Sequence, residues 1–415
     1  MSYDASTSIE VKTLDKLSKN SLSDGPFEVV KFNDEPKIPT YISTANKRAK
    51  EKYFCKYEAY GFGSGLNPDI AKIKSLAEFL ERLAIFNPQK ENLIKQEYIK
   101  DICVDPHLFL HYSKEKTRSV VKKMQNTPIL WSPVIDYLTK KKTFIPSQSI
   151  YLADIFQHEI ELLPERISTG AAFAVNQKKA FESGLLEALE RDSAMTTYLN
   201  KKKVPRIIDF PESINRIIDY LKRYYIDVHV FDITTDLNIP TFMSIACNKR
   251  DFGPAISVGT KSGFDIEHAI YGCILESIQS RRQARFARVM EGNKFDAVSE
   301  DKIDSKQARY FYWYPKKMIR HLDFWLKNNE VIKFNKLPKR ISSLNDCIKE
   351  LRYKGYHIFY ADMTLDEIKK MGFVAAKVIV PELHPLYLSE YAKVLYSIHA
   401  GNIASQKGLK PHPFT

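Results

Sequence analysis

The order of apolar and polar positions predicts strands that lead through small-residue turns into amphipathic helices. Residues 27–32 and 39–44 carry the short apolar stretches that are typical of strands. The longer stretch 69–86 places its apolar residues at helical spacing. Asn67 and Pro68 stand where an N-cap and a first helical residue are expected. This part of the chain is therefore predicted to form a strand–turn–helix unit.

The same succession occurs twice more along the chain. Small residues at 166–177 lead into a helix predicted at 178–199. A strand and a Gly/Ser turn at 254–265 lead into a helix predicted at 266–290. We therefore predict a mixed α/β (α+β) fold in which repeated strand–turn–helix units pack around one site.

The remaining pattern predicts a further α/β unit and a tail that contains prolines. The other predicted elements are mostly helical residues at 94–127, strands at 129–135, 143–147, 227–232 and 239–246, a helix at 341–354, a strand at 356–362, a short helix at 365–371 and a strand at 374–380. Residues 1–30 are polar, and their first stretch is expected to lie loosely or to pack late. The tail is expected to be extended, and either to fray or to dock into a groove or an active site.

Composition limits the class of protein. The 415 residues are 44% hydrophobic and 27% charged, which is typical of a globular chain with a sizeable core. No stretch approaches the roughly 20 apolar residues that span a bilayer, and the N-terminus has no apolar signal-peptide core. We expect a soluble, cytoplasmic protein without a membrane partner. The net charge of +13 is spread in short basic bursts, and no nucleic-acid-binding signature accompanies it. We therefore expect no nucleic-acid partner.

Cysteine and histidine usage argues against a transition-metal site. The five cysteines form no C-x-x-C pair, and the ten histidines form no H-E-x-x-H cluster. Scattered cysteines are typical of reduced thiols in a cytosol.

The most informative motif is a pair of glutamates followed directly by an arginine. It occurs as Glu78, Glu81 and Arg82, and again as Glu187, Glu190 and Arg191. Residues three apart share one helix face, so each copy places two carboxylates side by side. Adjacent carboxylates repel unless a cation lies between them, and Mg²⁺ prefers oxygen ligands together with phosphates. Two such helices that meet are predicted to form a Mg²⁺ site.

Two simpler interpretations remain open. A single Glu-x-x-Glu-Arg motif is typical of a solvated helix face, although both copies stand among apolar residues, where charge must be paired or metal-bound. Gly61, Gly63 and Gly65 before the first helix can cradle phosphate or can form an ordinary turn.

Several motifs, taken in order, resemble the YcaO proteins, which are ATP-dependent enzymes that activate peptide backbone amides. The matching motifs are Gly63-x-Gly65 before Ser75-x-x-Glu78-x-x-Glu81-Arg82, Trp131-Ser-Pro, Ser168-Thr-Gly170-Ala-Ala, Glu187-x-x-Glu190-Arg191-Asp192, Glu276-x-x-Gln279-Ser280-Arg281, Val378-Ile-Val-Pro381-Glu-Leu and Pro411-His-Pro-Phe. The resemblance implies a YcaO-type fold around one Mg-ATP site. It also implies an N-terminal extension with the first strands (1–57), a catalytic domain (58–400) and a C-terminal tail (401–415).

The resemblance also implies roles for individual residues. The implied metal ligands are Glu78, Glu81, Glu187 and Glu190. The implied nucleotide-binding residues are these four together with Ser75, Arg82, Arg191, Glu276 and Gln279. The implied catalytic residues are Arg281, Pro411 and Pro413. At least one of Arg82, Arg191 and Arg281 is expected to be purely structural.

The implied reaction begins when the side chain of a Cys, Ser or Thr attacks a backbone carbonyl of a ribosomally made precursor peptide. ATP phosphorylates the oxygen, and loss of phosphate leaves a thiazoline or oxazoline, as in microcin-like bacteriocin pathways. A separate E1-like, leader-binding partner is expected, in a hetero- or homo-oligomer. The chain ends in Thr415 where azoline-forming relatives commonly end in proline. The alternatives are a thioamide-forming YcaO that acts with a TfuA-like partner, and a non-catalytic nucleotide-binding scaffold.

Overall fold

A computed structural model describes residues 8–53, 59–112, 114–124, 127–156, 159, 162–163, 165–250, 253–292, 298–403 and 408–415. Within these ranges the chain is a mixed α/β protein, as the sequence predicts. Three of its sheets each pack against one long helix. The four described cysteines are free and buried, and Cys55 lies outside the described ranges.

The α-helices of the described residues range from four to 26 residues in length. They are α1 (Ser8–Ser18), α2 (Lys47–Lys52), α3 (Pro68–Phe86), α4 (Lys114–Met124), α5 (Gln177–Leu199), α6 (Glu212–Lys222), α7 (Ile266–Glu291), α8 (Lys306–Tyr312), α9 (Asp323–Leu326), α10 (Leu344–Tyr353) and α11 (Asp366–Lys370). No helix within the described ranges is both long enough and apolar enough to cross a membrane.

The strands are mostly short and antiparallel. They are β1 (Ser23–Glu28), β2 (Thr40–Ala45), β3 (Tyr60–Ser64), β4 (Ile94–Gln96), β5 (Ile129–Asp136), β6 (Lys142–Pro146), β7 (Ala171–Ala174), β8 (Arg206–Ile208), β9 (Ile226–Asp232), β10 (Thr241–Asn248), β11 (Ile256–Ser262), β12 (Val331–Lys333), β13 (Phe359–Asp362), β14 (Val374–Ile379), β15 (Tyr396–Ser397) and β16 (Gly401–Asn402).

The order of the strands explains how three helices come together. The first sheet has the order β1-β2-β3 and packs against α3, and the second has the order β11-β10-β9-β8-β12 and packs against α7. The third runs β4-β5-β13-β14-β7, with β6 beside β5, and α5 packs on β7 and β14. Each sheet thus supports one of the three helices that carry the acidic motifs.

The first two of these sheets repeat one structural unit. In the first, the hydroxyls of Thr40 and Ser64 join β2 to β3 at 2.9 Å. In the second, the hydroxyls of Thr241 and Ser262 join β10 to β11 at 2.7 Å. The same short segment, Ile-Pro-Thr, precedes the hydroxyl contact in both units, at 38–40 and at 239–241. The shared sequence and hydrogen bonds show that the two units are built alike, as the sequence pattern indicated.

A glycine in each unit brings its helix unusually close to its strand. A Cβ atom on Gly61 would lie 2.2 Å from the carbonyl oxygen of Ser75 on α3, and one on Gly259 would lie 2.3 Å from that of Cys273 on α7. Real Cβ atoms do not approach other atoms this closely, so only glycine permits these crossings. The two helices therefore cross their strands in the same way.

Two sequence predictions are wrong in this part of the chain. Residues 94–127 are not mostly helical: β4 pairs with β5, 106–109 form a single 3₁₀ turn, and of the described residues only 114–124 are α-helical. Pro106 has no amide hydrogen to continue a helix through this region, and Asp105 caps the 3₁₀ turn by accepting a hydrogen bond from the amide of His107 at 2.9 Å.

The described part of the N-terminal stretch, residues 8–30, does not lie loosely, and residues 1–7 lie outside the described ranges. Helix α1 packs against α3, and its Leu17 is fully buried. The first strand, β1, occupies 23–28 and not the predicted 27–32. The predicted domain boundary after residue 57 lies between β2 and β3, which pair with each other in one sheet.

Candidate active site

A cleft of about 570 Å³ lies where α3, α5 and α7 converge. Its charged lining residues come from all three helices and from nearby segments. They are Glu78, Glu81, Arg82, Arg166, Glu187, Glu190, Arg191, Lys261, Glu276 and Lys306. Gln279 and Gln283 of α7 also line it. A volume of this size is typical of a small-molecule or cofactor site.

The first glutamate of the acidic motif on each of the three helices is held in the same way. Glu78 Oε2 accepts a hydrogen bond from the amide of Phe62 at 2.9 Å, and Glu276 Oε2 accepts one from the amide of Thr260 at 3.3 Å. On α5, Glu187 Oε2 accepts a hydrogen bond from the amide of Gly170 at 3.0 Å. In each case the donor precedes the acid by 16 or 17 residues. Each of the three strand–turn–helix units therefore directs one carboxylate towards the cleft.

Arg82 and Arg191 link the acids of the cleft. Arg82 Nη2 lies 3.5 Å from Glu78 Oε1, and Arg191 Nη2 lies 3.7 Å from Glu187 Oε1 and 3.9 Å from Glu276 Oε1. Burial disfavours their charge, but the neighbouring glutamates outweigh it and raise the pKa of both arginines. Both guanidinium groups therefore stay charged within the cleft.

Glu190 is the most constrained acid of the set. It is 2% exposed, and its two oxygens accept hydrogen bonds from the hydroxyl of Thr260 at 2.8 Å and from the amide of Ser262 at 3.1 Å. Lys261 Nζ lies 3.9 Å from Glu190 Oε2, and this carboxylate is the main cause of the raised pKa of Lys261. Glu190 is thus bound to β11, and Lys261 adds a positive charge at the cleft.

Two other acids are held partly in their neutral form, because the protein does not fully compensate the negative charge that each would carry when ionised. Burial raises the pKa of Glu81 to about 8, and the nearby carboxylates of Glu187 and Glu78 raise it further against the opposing charge of Arg82. Burial and the charge of Glu190 raise the pKa of Glu276 to about 7. A bound cation would stabilise the ionised form of both, so the donor set suits a hard divalent metal such as Mg²⁺.

The acids do not form a complete metal cage. Among the described residues, no three Asp, Glu, His or Cys side chains lie close enough together to hold a metal ion by themselves. Mg²⁺ commonly takes one or two carboxylates together with water and phosphate oxygens. The arrangement therefore suits a metal that arrives with a phosphate ligand, and the arginines and lysines of the cleft suit the phosphates.

Four of the predicted site residues lie outside the cleft, which are Ser75, Arg281, Pro411 and Pro413. Ser75 is fully buried, and its hydroxyl contacts that of Ser43 on β2 at 3.0 Å. Arg281 is 1% exposed and forms a bidentate ion pair with Glu35, with Nε–Oε2 at 2.7 Å and Nη2–Oε1 at 2.8 Å. Arg281 points away from the cleft because Glu35 and the carbonyl of Pro254 bind its whole guanidinium group. The structure therefore gives it the structural role expected of at least one arginine.

The C-terminal tail docks into the protein and does not fray. The carbonyl of Pro411 accepts a hydrogen bond from Trp313 Nε1 at 3.0 Å, and the carbonyl of His412 accepts one from Arg309 Nη1 at 2.7 Å. Residues 411–414 are buried. Thr415 lines the cleft, whereas Pro411 and Pro413 do not. The prolines belong to the anchored segment that brings the chain end to the cleft.

Sequence reasoning missed three cationic residues of the cleft, which are Arg166, Lys261 and Lys306. Lys261 is the one charged residue of β11, whose other residues are small, apolar or hydroxylic, and this contrast was an available signal. Lys306 begins α8, in a segment for which the pattern predicted no element. It lies close enough to Glu78 for that carboxylate to raise its pKa against the effect of burial.

Comparison with known proteins identifies one family. The family model described as "YcaO cyclodehydratase", binding ATP and Mg²⁺, matches residues 62–384. A search of curated proteins found no match.

Solved structures share the fold at low sequence identity. A YcaO protein from Methanopyrus kandleri, bound with AMPPCP and Mg²⁺, superposes with a TM-score of 0.68 at 15% identity, over 99% of this chain and 98% of that one. A heterocyclase in complex with substrate and cofactor superposes with a TM-score of 0.69 at 18% identity, over 92% of this chain and 53% of that one. The Escherichia coli microcin synthetase complex McbBCD superposes with a TM-score of 0.64 at 17% identity, over 86% of this chain and 87% of that one. The chain thus spans about half the length of the heterocyclase, and the predicted YcaO-type fold is confirmed.

Proposed function

The chain belongs to the YcaO family of ATP- and Mg²⁺-binding cyclodehydratases, and from that membership we propose that it forms azolines in a ribosomally synthesised peptide. One observation carries the proposal: helices from three sheets aim glutamates that are held by backbone amides into one cleft, beside three arginines and two lysines. Such a set suits a metal nucleotide, and it is not typical of a solvated helix face.

We assign the residues of the cleft by charge. Glu78, Glu81, Glu187 and Glu190 would hold Mg²⁺, and Glu276 and Gln279 complete the wall on α7. Arg82, Arg191, Lys261 and Lys306 would contact the phosphates. The cofactors of the enzyme are ATP and Mg²⁺, which supply a transferable phosphoryl group and offset the charge that develops on it.

The chemical reason for such a site is the poor leaving ability of an amide oxygen. The side chain of a Cys, Ser or Thr attacks the backbone carbonyl, and the resulting oxyanion departs easily only after phosphorylation. The cationic residues of the cleft would stabilise the charged transition state, and the fixed acids would orient the phosphates. The glutamates are therefore proposed as ligands and not as general acids or bases.

The partner is proposed to be a separate protein. The E. coli microcin synthetase McbBCD, whose structure is similar to this chain, is a complex. We therefore propose that an E1-like protein binds the leader of the peptide and forms a complex with this chain.

The first test is the replacement of Glu187 by glutamine in the purified protein. Glu187→Gln keeps the shape of the side chain but removes a carboxylate that is held at the amide of Gly170. We expect peptide-dependent phosphate release to fall by about 100-fold or more, as when other charge-stabilising groups are removed from active sites.

Glu182→Gln is the matched control for this test. Glu182 is on the same helix and pairs with Lys179 at 3.1 Å outside the cleft, so its replacement should leave turnover unchanged. Equal turnover in Glu187→Gln and wild type would contradict the metal assignment, whereas the absence of peptide-dependent turnover in both would favour a non-catalytic scaffold.

The mass of the peptide product identifies the reaction. Azoline formation removes one water for each modified residue, whereas thioamide formation replaces one oxygen by sulfur. We expect the loss of water. A gain in mass that matches the exchange of oxygen for sulfur would instead assign the chain to the thioamide-forming group.

A further inference from the structure

A second, smaller cavity of about 110 Å³ adjoins the cleft. Ile167, Thr169 and Leu386 line both cavities, so the two spaces share a wall. The rest of the small cavity is mostly apolar, with Leu163, Val380 and Val394 among its lining residues. An apolar cavity of about 150 Å³ holds a benzene molecule. The small cavity therefore has room for a side chain of modest size, and not for a nucleotide.

Two buried polar side chains of this cavity lack hydrogen-bond partners. His384 is 1% exposed and Ser149 is 8% exposed, and both line the cavity. Neither His384 Nε2 nor Ser149 Oγ makes a hydrogen bond to the described residues. An unsatisfied buried polar atom is costly, so such atoms commonly mark a place that a ligand or a water occupies.

The position of His384 indicates which group it would bind. Its Nδ1 lies 2.9 Å from the carbonyl of Pro385, which can only accept, so Nδ1 carries the proton. Burial lowers the pKa of His384, and the ring is therefore neutral, with a lone pair on Nε2. The carbonyl of Val394, also near the ring, is a second acceptor. A ligand at Nε2 must consequently donate a hydrogen bond.

The charged groups of the cavity are already engaged. Glu165 Oε2 accepts hydrogen bonds from the amides of Leu388 and Ser389 at 2.6 and 3.1 Å. Lys377 Nζ donates to the carbonyls of Ile167 and Ile150 at 2.8 and 3.2 Å, and burial lowers its pKa to about 7. Both side chains are thus held against the cavity wall by backbone groups, and transfer of a charged ligand into this mostly apolar space would be costly.

We propose that this cavity binds a small hydroxyl- or thiol-bearing side chain of the peptide substrate, with His384 Nε2 accepting its hydrogen and Ser149 Oγ donating to it. The proposal rests on the proposed function, because it assumes a peptide in the adjoining cleft. A hydroxyl or a thiol is the small uncharged group that both donates and accepts. The pocket thereby selects Ser, Thr or Cys and disfavours bulky or charged residues.

The test measures binding and not catalysis. Blocked tripeptides with the sequences Gly-Ser-Gly, Gly-Cys-Gly and Gly-Ala-Gly serve as probes, and saturation-transfer NMR gives their affinities for the full-length protein. We expect the Ser and Cys tripeptides to bind about 3- to 10-fold tighter than the Ala tripeptide, because one or two additional hydrogen bonds contribute a free energy that corresponds to this ratio.

Variants assign this preference to the pocket. The amide of His384→Asn can replace Nδ1–H but leaves no acceptor at Nε2, so the preference for Ser and Cys should disappear. Val394→Phe fills the cavity and should lower the affinity of the protein for all three tripeptides. Val289→Phe is the control, because Val289 is 60% exposed and lies outside both cavities.

Three outcomes would overturn the proposal. They are equal affinity of wild type for the Ala and Ser tripeptides, an unchanged preference in His384→Asn, and weaker ATP binding in Val394→Phe, which would assign the cavity to the nucleotide. The proposed function fails differently, through the absence of peptide-dependent phosphate release, and a donor-selective pocket would still be detected in that case.

Discussion

At the scale of single residues, the cleft concentrates acids that are unfavourable without a cation. Glu81 has the clearest excess of negative charge, because burial and two neighbouring carboxylates together outweigh Arg82. Its pKa of about 8 means that the side chain is protonated at neutral pH when no cation is bound. Metal binding must then displace a proton.

We predict that the affinity for Mg²⁺ rises with pH, by up to about tenfold for each unit, until about pH 8, and is constant above it. The reason is that one proton leaves Glu81 for each ion bound. Titration calorimetry with Mg²⁺ and a non-hydrolysable ATP analogue measures this dependence. Glu81→Gln should bind Mg²⁺ weakly and without this dependence. A wild-type affinity that does not vary between pH 6 and 8 would contradict the prediction.

The same substitution has a consequence for stability. A carboxyl group whose folded pKa is raised contributes stability below its unfolded pKa, and that contribution is lost as the pH rises through the folded value. The metal-free wild type should therefore lose stability as the pH rises towards 8, and metal-free Glu81→Gln should have the higher melting temperature at pH 9. Scanning calorimetry tests this order.

At the scale of elements, the close crossing of α3 over β3 depends on Gly61. A Cβ on Gly61 would lie 2.2 Å from the carbonyl oxygen of Ser75 and 2.3 Å from the amide nitrogen of Phe79. We predict that Gly61→Ala lowers the free energy of unfolding by about 1–3 kcal/mol, because the helix must move away from the strand. Denaturant unfolding measures the change.

Gly65→Ala is the matched control for the crossing. A Cβ on Gly65 would lie 3.4 Å from its nearest neighbour, the carbonyl oxygen of Asn67, which is an ordinary contact. This variant should be neutral or slightly more stable than wild type. Equal destabilisation by both alanines would mean that the closeness of the crossing is unimportant.

Elements with strong periodicity were predictable from the sequence, and elements defined by tertiary contacts were not. Helices α3, α5 and α7 were predicted within a residue or two of their observed ends, because each has an N-cap and a long apolar face. The helix predicted over 94–127 failed because β4 gains its hydrogen bonds from β5, and no local pattern reveals such a partner. The ion pair of Arg281 was unpredictable for the same reason, since Glu35 is 246 positions away in sequence.

At the scale of the whole molecule, the C-terminal tail places the last residue, Thr415, at the cleft. The anchor of the tail is polar as well as apolar, because Tyr198, Trp313 and Arg309 donate hydrogen bonds to the carbonyls of residues 410, 411 and 412. The indole of Trp313 donates a single one, to Pro411, at 3.0 Å.

We predict that Trp313→Phe, which removes this hydrogen bond, lowers turnover by about 3- to 10-fold, because Thr415 is then held less firmly at the cleft. Trp325→Phe is the control, since the indole of Trp325 donates to the carbonyl of Lys202 at 3.0 Å, away from the tail. Both variants should lose similar stability, of about 1 kcal/mol. Equal turnover in the two variants would separate the tail from catalysis.

A histidine connects three distant parts of the chain. His399 Nδ1 lies 2.8 Å from Asp192 Oδ2 on α5, and His399 Nε2 lies 2.9 Å from Asp236 Oδ1 in the loop before β10. Burial disfavours the charged ring, but hydrogen bonds to both carboxylates outweigh it and raise the pKa of His399. Because both nitrogens donate, the ring is an imidazolium.

We predict that this contact makes stability depend on pH. A histidine with a raised folded pKa contributes its stability below about pH 6.5, its ordinary pKa, and loses that contribution as the pH rises through the folded value. The melting temperature of wild type should therefore decrease relative to His399→Gln as the pH rises from 6 to 9. Parallel melting curves of the two proteins over that range would contradict the prediction.

The two similar strand and helix units present different groups to the cleft. By their common spacing from Gly61 and Gly259, Glu78 corresponds to Glu276, Glu81 to Gln279 and Arg82 to Ser280. The unit on α3 thus presents two acids and an arginine, whereas the unit on α7 presents one acid, an amide and a hydroxyl. The two sides of the cleft therefore differ in charge, so an anion that binds between them meets unequal surroundings on its two sides.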